Sequence, residues 1–176
     1  AATSTLTAKA GHGVSGSGDS TTCSACGGGK WSAAGSATCS NISAGCYGTS
    51  ASSACPASCA KGTYSTGGAA SCTNVKNGCY ADGTGSTSDC PKNCPSLTSG
   101  YSYVSGTGWT AYSSCKETKA YSSVSSYCDG GALTKTATSA SAWGAATSTL
   151  TAKAGYGVSG SGDSTTCSAC GAGKWS

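Results

Sequence analysis

The chain has 176 residues, a net charge of +4 and 14 cysteines, and only 9% of its residues are charged. All 10 basic residues are lysines spread along the chain, which excludes the concentrated, arginine-rich surface typical of proteins that bind nucleic acid. Ser, Thr, Ala and Gly make up 115 residues while Leu, Ile and Val number ten, so the composition also excludes a conventional apolar core and a membrane span of ~18 apolar residues.

The beginning of the chain returns at its end. Ala1–Ser32 and Ala145–Ser176 are offset by 144 residues and differ at two positions. Long, near-identical units are typical of tandem arrays in which each unit packs mainly on its neighbours along one dimension. We therefore expect an internal window of a secreted array whose main partner is itself, as further periods or further subunits. The two differences are His12 against Tyr156 and Gly28 against Ala172.

The cysteines recur in units of four. Their number and even spread predict disulfides, which hold together secreted chains that lack an apolar core and contribute about 2–4 kcal/mol each. We expect an oxidising compartment, outside the cell or on its surface, and disulfide bonding of every cysteine, two of them with partners beyond the chain. The units are Cys23, Cys26, Cys39 and Cys46; Cys55, Cys59, Cys72 and Cys79; and Cys90, Cys94, Cys115 and Cys128, after which Cys167 and Cys170 open the next period.

This spacing predicts a small, disulfide-rich, mostly irregular fold with short β-hairpins, arranged as tandem modules in an elongated array. No helix is expected, because glycine is frequent and no 3.6-residue periodicity is present. The predicted segments are residues 1–22, the end of a Ser/Thr/Gly-rich segment without cysteine; 23–54, 55–89 and 90–128, three cysteine-rich modules of which the third is stretched; 129–166, a cysteine-free β-prone or linker segment; and 167–176, the start of the next period.

Two short motifs keep step with the cysteines. Residues 29–32 and 62–65 share the pattern Gly-x-aromatic-Ser, and Gly45 and Gly78 each precede a Cys-Tyr pair. Glycine permits a tight turn beside a disulfide, and the aromatic ring that follows covers the sulfur atoms. We therefore expect each motif to mark a turn at a cross-link.

Together, the motifs and the cysteine spacing resemble the ephrin-receptor-like cysteine-rich repeat, a relative of the tumour-necrosis-factor-receptor and EGF-type modules. The resemblance covers Cys23–Cys79 well and Cys90–Cys128 loosely. It implies an extracellular protein of the kind found among the surface antigens and flagellar-hair (mastigoneme) proteins of protists and algae. It also implies first-to-third and second-to-fourth pairing, namely Cys23–Cys39, Cys26–Cys46, Cys55–Cys72, Cys59–Cys79, Cys90–Cys115 and Cys94–Cys128.

A rival pairing stays open, because spacing alone does not determine connectivity. In a sequential ladder, neighbouring cysteines pair along the chain, so that the cross-links join one unit to the next. The ladder would run Cys26–Cys39, Cys46–Cys55, Cys59–Cys72 and onward to Cys128–Cys167.

Residues that carry chemistry are sparse. The one histidine, His12, corresponds to Tyr156 in the second copy, and no two carboxylates have the spacing of a catalytic pair. Cys23 and Cys26 have a spacing that can open a zinc knuckle, but the second cysteine pair of the unit and the openings of the later units do not follow it, which favours disulfides. We predict no enzyme activity, no catalytic residue, no metal site and no cofactor.

Two parts of the second half of the chain have β-like patterns. Tyr101–Val104 and Trp109–Tyr112 predict a hairpin, and alternation over Leu133–Thr138 and Thr147–Lys153 predicts strands, followed by a loop over Gly155–Gly162. The cysteine-free segment has two open interpretations, a flexible linker or a strand-forming segment that pairs with another subunit or period. The second makes Leu133, Trp143 and Leu150 candidate residues for packing between subunits.

Asn41 begins an N-glycosylation sequon, predicted on a loop, and the abundant Ser and Thr favour O-linked sugars, so glycans are expected partners. The combined features predict a structural subunit of an extracellular, disulfide-stapled glycoprotein filament of the flagellar-hair or sheath-fibre type. Two alternatives are a cell-surface coat antigen or adhesin stalk, and a receptor-type ligand-binding module. The receptor alternative requires an exposed aromatic patch, for which the candidates are Tyr101, Tyr103, Trp109 and Tyr112.

Overall fold

The computed structural model describes residues 6–171, and in that range the chain forms short β-strands and four three-residue 3-10 turns, with no α-helix. The predicted fold class, a small disulfide-rich protein of short hairpins, is confirmed. The strands are β1 His12–Ser15, β2 Thr22–Ala25, β3 Lys30–Trp31, β4 Ser40–Asn41, β5 Cys46–Tyr47, β6 Ala57–Ser58, β7 Thr63–Tyr64, β8 Thr73–Asn74, β9 Cys79–Tyr80, β10 Lys92–Asn93, β11 Ser102–Tyr103, β12 Lys116–Ala120, β13 Cys128–Gly130, β14 Ala132–Ser139, β15 Ala142–Trp143, β16 Thr147–Ser148, β17 Thr151–Ala152, β18 Tyr156–Ser159 and β19 Thr166–Ala169, and the 3-10 turns are Gly18–Ser20, Tyr112–Ser114, Tyr121–Ser123 and Gly162–Ser164.

These elements belong to two compact units. Unit 1 contains the residues up to Lys92 together with Thr107–Thr110, and unit 2 contains Asn93–Gly106 and the residues from Ala111 onward. Unit 1 is built from two-stranded antiparallel pairs of consecutive strands, from β1–β2 to β7–β8. Unit 2 contains one larger sheet, in the order β11-β12-β14-β15 with β16 also on β14, and two smaller pairs, β13–β17 and β18–β19.

In unit 1, glycines placed 16 to 18 residues apart connect each turn of the chain to the next. All four, Gly11, Gly29, Gly45 and Gly62, have a positive φ, which confirms the tight turns predicted at the last three. Each donates its N–H to a carbonyl about one turn further along the chain. The four hydrogen bonds are Gly11 to Ser32 at 3.0 Å, Gly29 to Gly48 at 2.8 Å, Gly45 to Ser65 at 2.8 Å and Gly62 to Ala81 at 2.9 Å.

The disulfides follow the same nearest-neighbour order. The structure contains the sequential ladder, so the first-to-third and second-to-fourth pairing implied by the resemblance is wrong. Because each turn bonds to the next, cysteines that are adjacent along the chain come together and bond to each other. The six bonds are Cys26–Cys39, Cys46–Cys55, Cys59–Cys72, Cys79–Cys90, Cys94–Cys115 and Cys128–Cys167.

Replacing Gly62 with alanine is expected to destabilise unit 1 by at least about 2 kcal/mol. Gly62 has φ +79°, and a Cβ there would overlap the backbone carbonyl of Gly108, which cannot rotate away as a side chain would. Gly83→Ala is the matched control, because no atom lies within 4 Å of the position that its methyl group would take. Urea unfolding of both variants tests the prediction, which fails if the two midpoints shift equally.

The central strand of unit 2 confirms the predicted alternation. In β14, the side chains of Leu133, Lys135 and Ala137 are buried while the intervening residues are half-buried or exposed. Strand β14 pairs antiparallel with β12, β15 and β16 of the same chain, so the interpretation of this segment as a flexible linker is wrong. Its backbone groups are already occupied by strands that the chain itself supplies.

The hairpin predicted over residues 101–112 is also wrong. Strand β11 pairs instead with β12, which joins Ser102 to Thr118 and Tyr103 to Glu117. Trp109 lies in unit 1, where it forms a parallel bridge with Tyr80. Residues 105–108 favour a local turn, but β11 pairs with β12, a strand of mostly charged residues further along the chain.

The two copies of the repeated hairpin, residues 12–25 and 156–169, fold alike. Strands β1 and β2 pair in the same register as β18 and β19, with His12 opposite Ala25 and Tyr156 opposite Ala169. The glycine φ values of the connecting turns agree within 3°, at +88° and +58° in the first copy and +86° and +55° in the second. The predicted loop over residues 155–162 therefore contains a strand, and the hairpin shape is specified locally by the repeated sequence.

Candidate functional site

The candidate site is the junction at which the second copy of the hairpin packs on the sheet of unit 2. Its apolar centre combines Cys128 and Leu133, which precede the repeat, with Leu150 and Cys167, which belong to it. The Cys128–Cys167 disulfide joins the two sides with a Cα–Cα distance of 5.3 Å. The two cysteines are 39 residues apart in the sequence, and their bond connects the residues before the repeat to the second copy, which begins 144 residues after the first.

Three further contacts orient the hairpin at this junction. Strand β13 pairs with β17, which places Cys128 opposite Ala152. The rings of Tyr127 and Tyr156 stack at a centroid distance of 4.5 Å and an interplanar angle of 10°. The Ser125 hydroxyl donates a hydrogen bond of 3.1 Å to the carbonyl of Cys167. Backbone pairing, ring stacking and the disulfide together determine a single register for the repeat.

A buried ion cluster lies beside the apolar centre. Lys135 is 5% exposed and Glu117 is completely buried, and their Nζ and Oε1 atoms are 3.6 Å apart. Lys135 also approaches the repeat, with its Nζ 2.8 Å from Oδ2 of Asp163, and donates to Thr98 Oγ1 at 3.2 Å. A buried ammonium is costly unless it is paired, so Lys135 favours a hairpin that supplies a carboxylate at this point.

Tyr101 completes the polar contact with the repeat. Its hydroxyl donates to Oδ1 of Asp163 at 2.8 Å, and its ring lies 4.7 Å from Nζ of Lys135. Burial and the adjacent Asp163 carboxylate raise the pKa of Tyr101, so the hydroxyl stays protonated and able to donate. The hydrogen bonds from Lys135 and Tyr101 lower the pKa of Asp163 below the ordinary value of 3.8.

Acidification is expected to weaken this junction. Because the folded pKa of Asp163 is lowered, its stabilising effect is present above pH 3.8 and is lost as the pH falls through the lower folded value. The groups that face this carboxylate are Lys135, Tyr101 and, through longer-range charge, Lys119.

Urea midpoints measured from pH 6 to pH 2 test the expectation, with Asp163→Asn compared with the native chain. Asp19→Asn is the matched control, because Asp19 is the same residue in the first copy and has no ion pair among the described residues. The Asp163 variant should lose part of the acid dependence and the Asp19 variant should retain it. Identical curves for all three chains would contradict the assignment.

The structure places the candidate packing residues within unit 2. Leu133 and Leu150 are buried in the same cluster, so neither is free for another subunit. Trp143 is half-buried, and its indole N–H donates to the carbonyl of Ser96 at 2.8 Å. The three side chains stabilise contacts within one chain, although Leu133 and Leu150 come from different periods.

The remaining predicted site residues are dispersed. Asn41 is exposed on strand β4 rather than on a loop, and its Oδ1 accepts a hydrogen bond of 3.0 Å from Lys30. Cys23 and Cys170 are the two cysteines without a disulfide, as expected for the ends of a ladder. Cys26 is bonded to Cys39 and cannot serve with Cys23 as a zinc-binding thiolate pair. Within residues 6–171, no three His, Cys, Asp or Glu side chains converge on a position for a metal ion.

The sequence did not reveal two kinds of residue, one at the junction and one in the turns of unit 1. Lys135 and Glu117 were not singled out, because nothing in a strand pattern shows that a lysine on the apolar face meets a carboxylate from another strand. The serines that end the Gly-x-aromatic-Ser motif were the other kind. Ser32 and Ser65 are buried and donate to the carbonyls of His12 and Cys46 at 2.7 and 2.8 Å. Their recurrence at one motif position was the available signal.

Comparisons of the chain with protein-family models, curated proteins and solved structures find no match. In the part of the chain that the structure describes, no helix has the length and apolar character to cross a membrane. The six disulfides are typical of proteins from an oxidising, extracellular compartment.

Proposed function

We propose that the chain is a structural subunit of an extracellular, disulfide-stapled glycoprotein filament of the flagellar-hair or sheath-fibre type. The observation that carries the proposal is the junction, where a hairpin that begins a new period is bonded to the preceding period through Cys128–Cys167. A joint that recurs every 144 residues propagates along one direction and leads to an elongated array.

The architecture of unit 1 supports the same function. Its turns are hydrogen-bonded and cross-linked to their nearest neighbours, which is the arrangement of quasi-one-dimensional repeat proteins. Short disulfide-closed loops limit the extension of each turn under load, because the chain cannot lengthen past a covalent bridge. The small side chains that dominate the composition allow such turns to approach closely.

Two sequence features support the glycoprotein and surface assignments. Asn41 and Ser43 of the sequon are both exposed, so the acceptor is accessible to a glycan. The cysteine spacing resembles ephrin-receptor-like repeats of surface and flagellar-hair proteins, although the ladder departs from the pairing that this resemblance implies. The proposed function rests on the junction rather than on the resemblance.

Electron microscopy of native, non-reduced protein, with and without a thiol reductant, tests the proposal. Ordered filaments that dissolve or thin on reduction are expected. A sample treated with an alkylating agent alone is the control, since that reagent blocks Cys23 and Cys170 and leaves the six disulfides intact. Dispersed particles, or a coat attached to a membrane, would contradict the filament and favour a surface antigen or receptor.

A further inference from the structure

The two copies of the repeated hairpin have nearly the same local sequence but differ in what covers them. In the second copy, Leu150 is 8% exposed and Cys167 is 2% exposed, because both pack in the junction. Their counterparts in the first copy are Leu6, which is 50% exposed, and Cys23, which is an exposed free thiol. The same leucine and cysteine of the repeat are thus buried in the second copy and exposed in the first.

The polar residues of the hairpin show the same contrast. Asp163 bonds to Lys135 and Tyr101, whereas Asp19, its counterpart, is exposed and forms no ion pair within residues 6–171. Thr165 is buried and its counterpart Thr21 is only partly so. We define the docking face of the first copy as Leu6, Asp19, Thr21 and Cys23.

The hairpin that carries Asp19, Thr21 and Cys23 already has the conformation that its counterpart adopts in the junction. Strand register and turn geometry agree between residues 12–25 and 156–169, so this part of the docking face would not need to rearrange in order to bind. The one difference at the contact is His12, whose counterpart Tyr156 stacks on Tyr127. An imidazole ring is planar and can take the same stacked position.

We propose that the docking face binds a second copy of the sheet surface of unit 2, supplied by another chain. The surface that receives it is formed by Tyr101, Tyr127, Cys128, Leu133 and Lys135, the residues that hold the second hairpin in this chain. Lys135 of the incoming copy pairs with Asp19, and Cys128 bonds to Cys23. The inference rests on the proposed filament function and assigns the joint between its subunits.

The covalent step is a thiol–disulfide exchange that needs no external oxidant. The Cys23 thiol loses its proton, and the thiolate attacks Sγ of Cys128 in the Cys128–Cys167 bond of the second copy. The Cys23–Cys128 bond forms, the Cys128–Cys167 bond breaks, and Cys167 leaves as a thiolate that takes up a proton. One disulfide is exchanged for another, and the displaced hairpin is the one that occupied the same surface.

A chain with Cys167→Ser and Leu150→Ser tests the joint. The two changes weaken the packing of the second hairpin on its own sheet and leave Cys128 free to bond to Cys23 of another chain. In a glutathione buffer, oxidised glutathione accepts the two electrons as Cys23 and Cys128 of different chains form a disulfide. We expect a ladder of linked chains on a non-reducing gel, with Cys23–Cys128 peptides recovered by mass spectrometry. Adding Cys23→Ser should reduce the linked fraction at least about ten-fold, and adding Cys170→Ser should not change it. Persistent monomers, or links through Cys170 or between two Cys23 residues, would overturn the proposal.

A second measurement does not depend on the folding of that variant. The native chain at high concentration with a trace of thiol should accumulate Cys23–Cys128 bonds between chains, together with free Cys167. Leu6→Ser should slow this exchange at least about ten-fold, since it removes the apolar contact and leaves every cysteine in place. An unchanged rate would show that the thiols react without docking and would overturn the proposal.

The two proposals can fail separately. Native filaments whose disulfide map lacks Cys23–Cys128 would reject the joint and leave the filament function standing. Efficient Cys23–Cys128 exchange in solution, with no filaments in native material, would support the joint and reject the filament function.

Discussion

Replacing Lys135 with methionine is expected to lower the free energy of unfolding of unit 2 by about 3–5 kcal/mol. Glu117 is fully buried, and its Oε1 atom has no hydrogen-bond donor, so the ammonium of Lys135 at 3.6 Å is the charge that compensates it. Removing the lysine leaves a carboxylate in the interior and also breaks the contact with Asp163. Native-state hydrogen exchange of the Leu133 and Ala137 amides measures the loss.

Two further variants separate the buried pair from general effects of a lost lysine. Lys116→Met removes an exposed lysine from the neighbouring strand β12 and should cost less than about 0.5 kcal/mol. Adding Glu117→Gln to Lys135→Met should recover much of the stability, because no uncompensated charge then remains. Stability of the Lys135 variant close to that of the native chain would show that the buried carboxylate does not depend on this lysine.

Removing the junction disulfide as Cys128→Ser with Cys167→Ser is expected to cost about 4 kcal/mol. The bond closes a loop of 39 residues, and the entropy that a cross-link removes from the unfolded chain grows with loop length. The loss should be concentrated at the junction, because the same bond holds the repeated hairpin on the sheet. Hydrogen exchange should become faster in the β18 and β19 amides than in those of β12 and β14.

The matched control is the shorter bridge of unit 1, removed as Cys46→Ser with Cys55→Ser. Its loop is 9 residues long, so a smaller loss of about 2.5 kcal/mol is expected. The first hairpin, β1 and β2, serves as an internal reference, since it has nearly the same sequence and is not held by Cys128. Equal losses for the two bridges would contradict the loop-length argument.

Much of the fold could be predicted from the chain's local patterns. The glycines of the two motifs predicted tight turns, and positive φ values are found at Gly29, Gly45, Gly62 and Gly78. The alternation over residues 133–138 predicted a strand, because side chains in a strand point to opposite faces at successive positions. These features depend on residues within a few positions of one another.

The incorrect predictions concern contacts between distant residues. The aromatic pattern of residues 101–112 indicated a hairpin, but Tyr103 pairs with Glu117 of strand β12. The lysines and glutamate of that strand are residue types that are typical of an exposed loop. The first-to-third and second-to-fourth disulfide pairing was wrong for a related reason. Several pairings satisfy the same spacing, and the one that forms depends on which turns stack.

The sequence by itself determined the class of protein, since too few apolar side chains and abundant cysteines permit a disulfide-stapled chain of short strands and little else. It also determined the shape of the repeated hairpin, which folds alike in two different surroundings. Only the tertiary structure decided which cysteines bond and where the hairpin docks. Both depend on the distance in space between residues tens of positions apart, as Lys135 and Asp163 are, and local patterns carry no information on that distance.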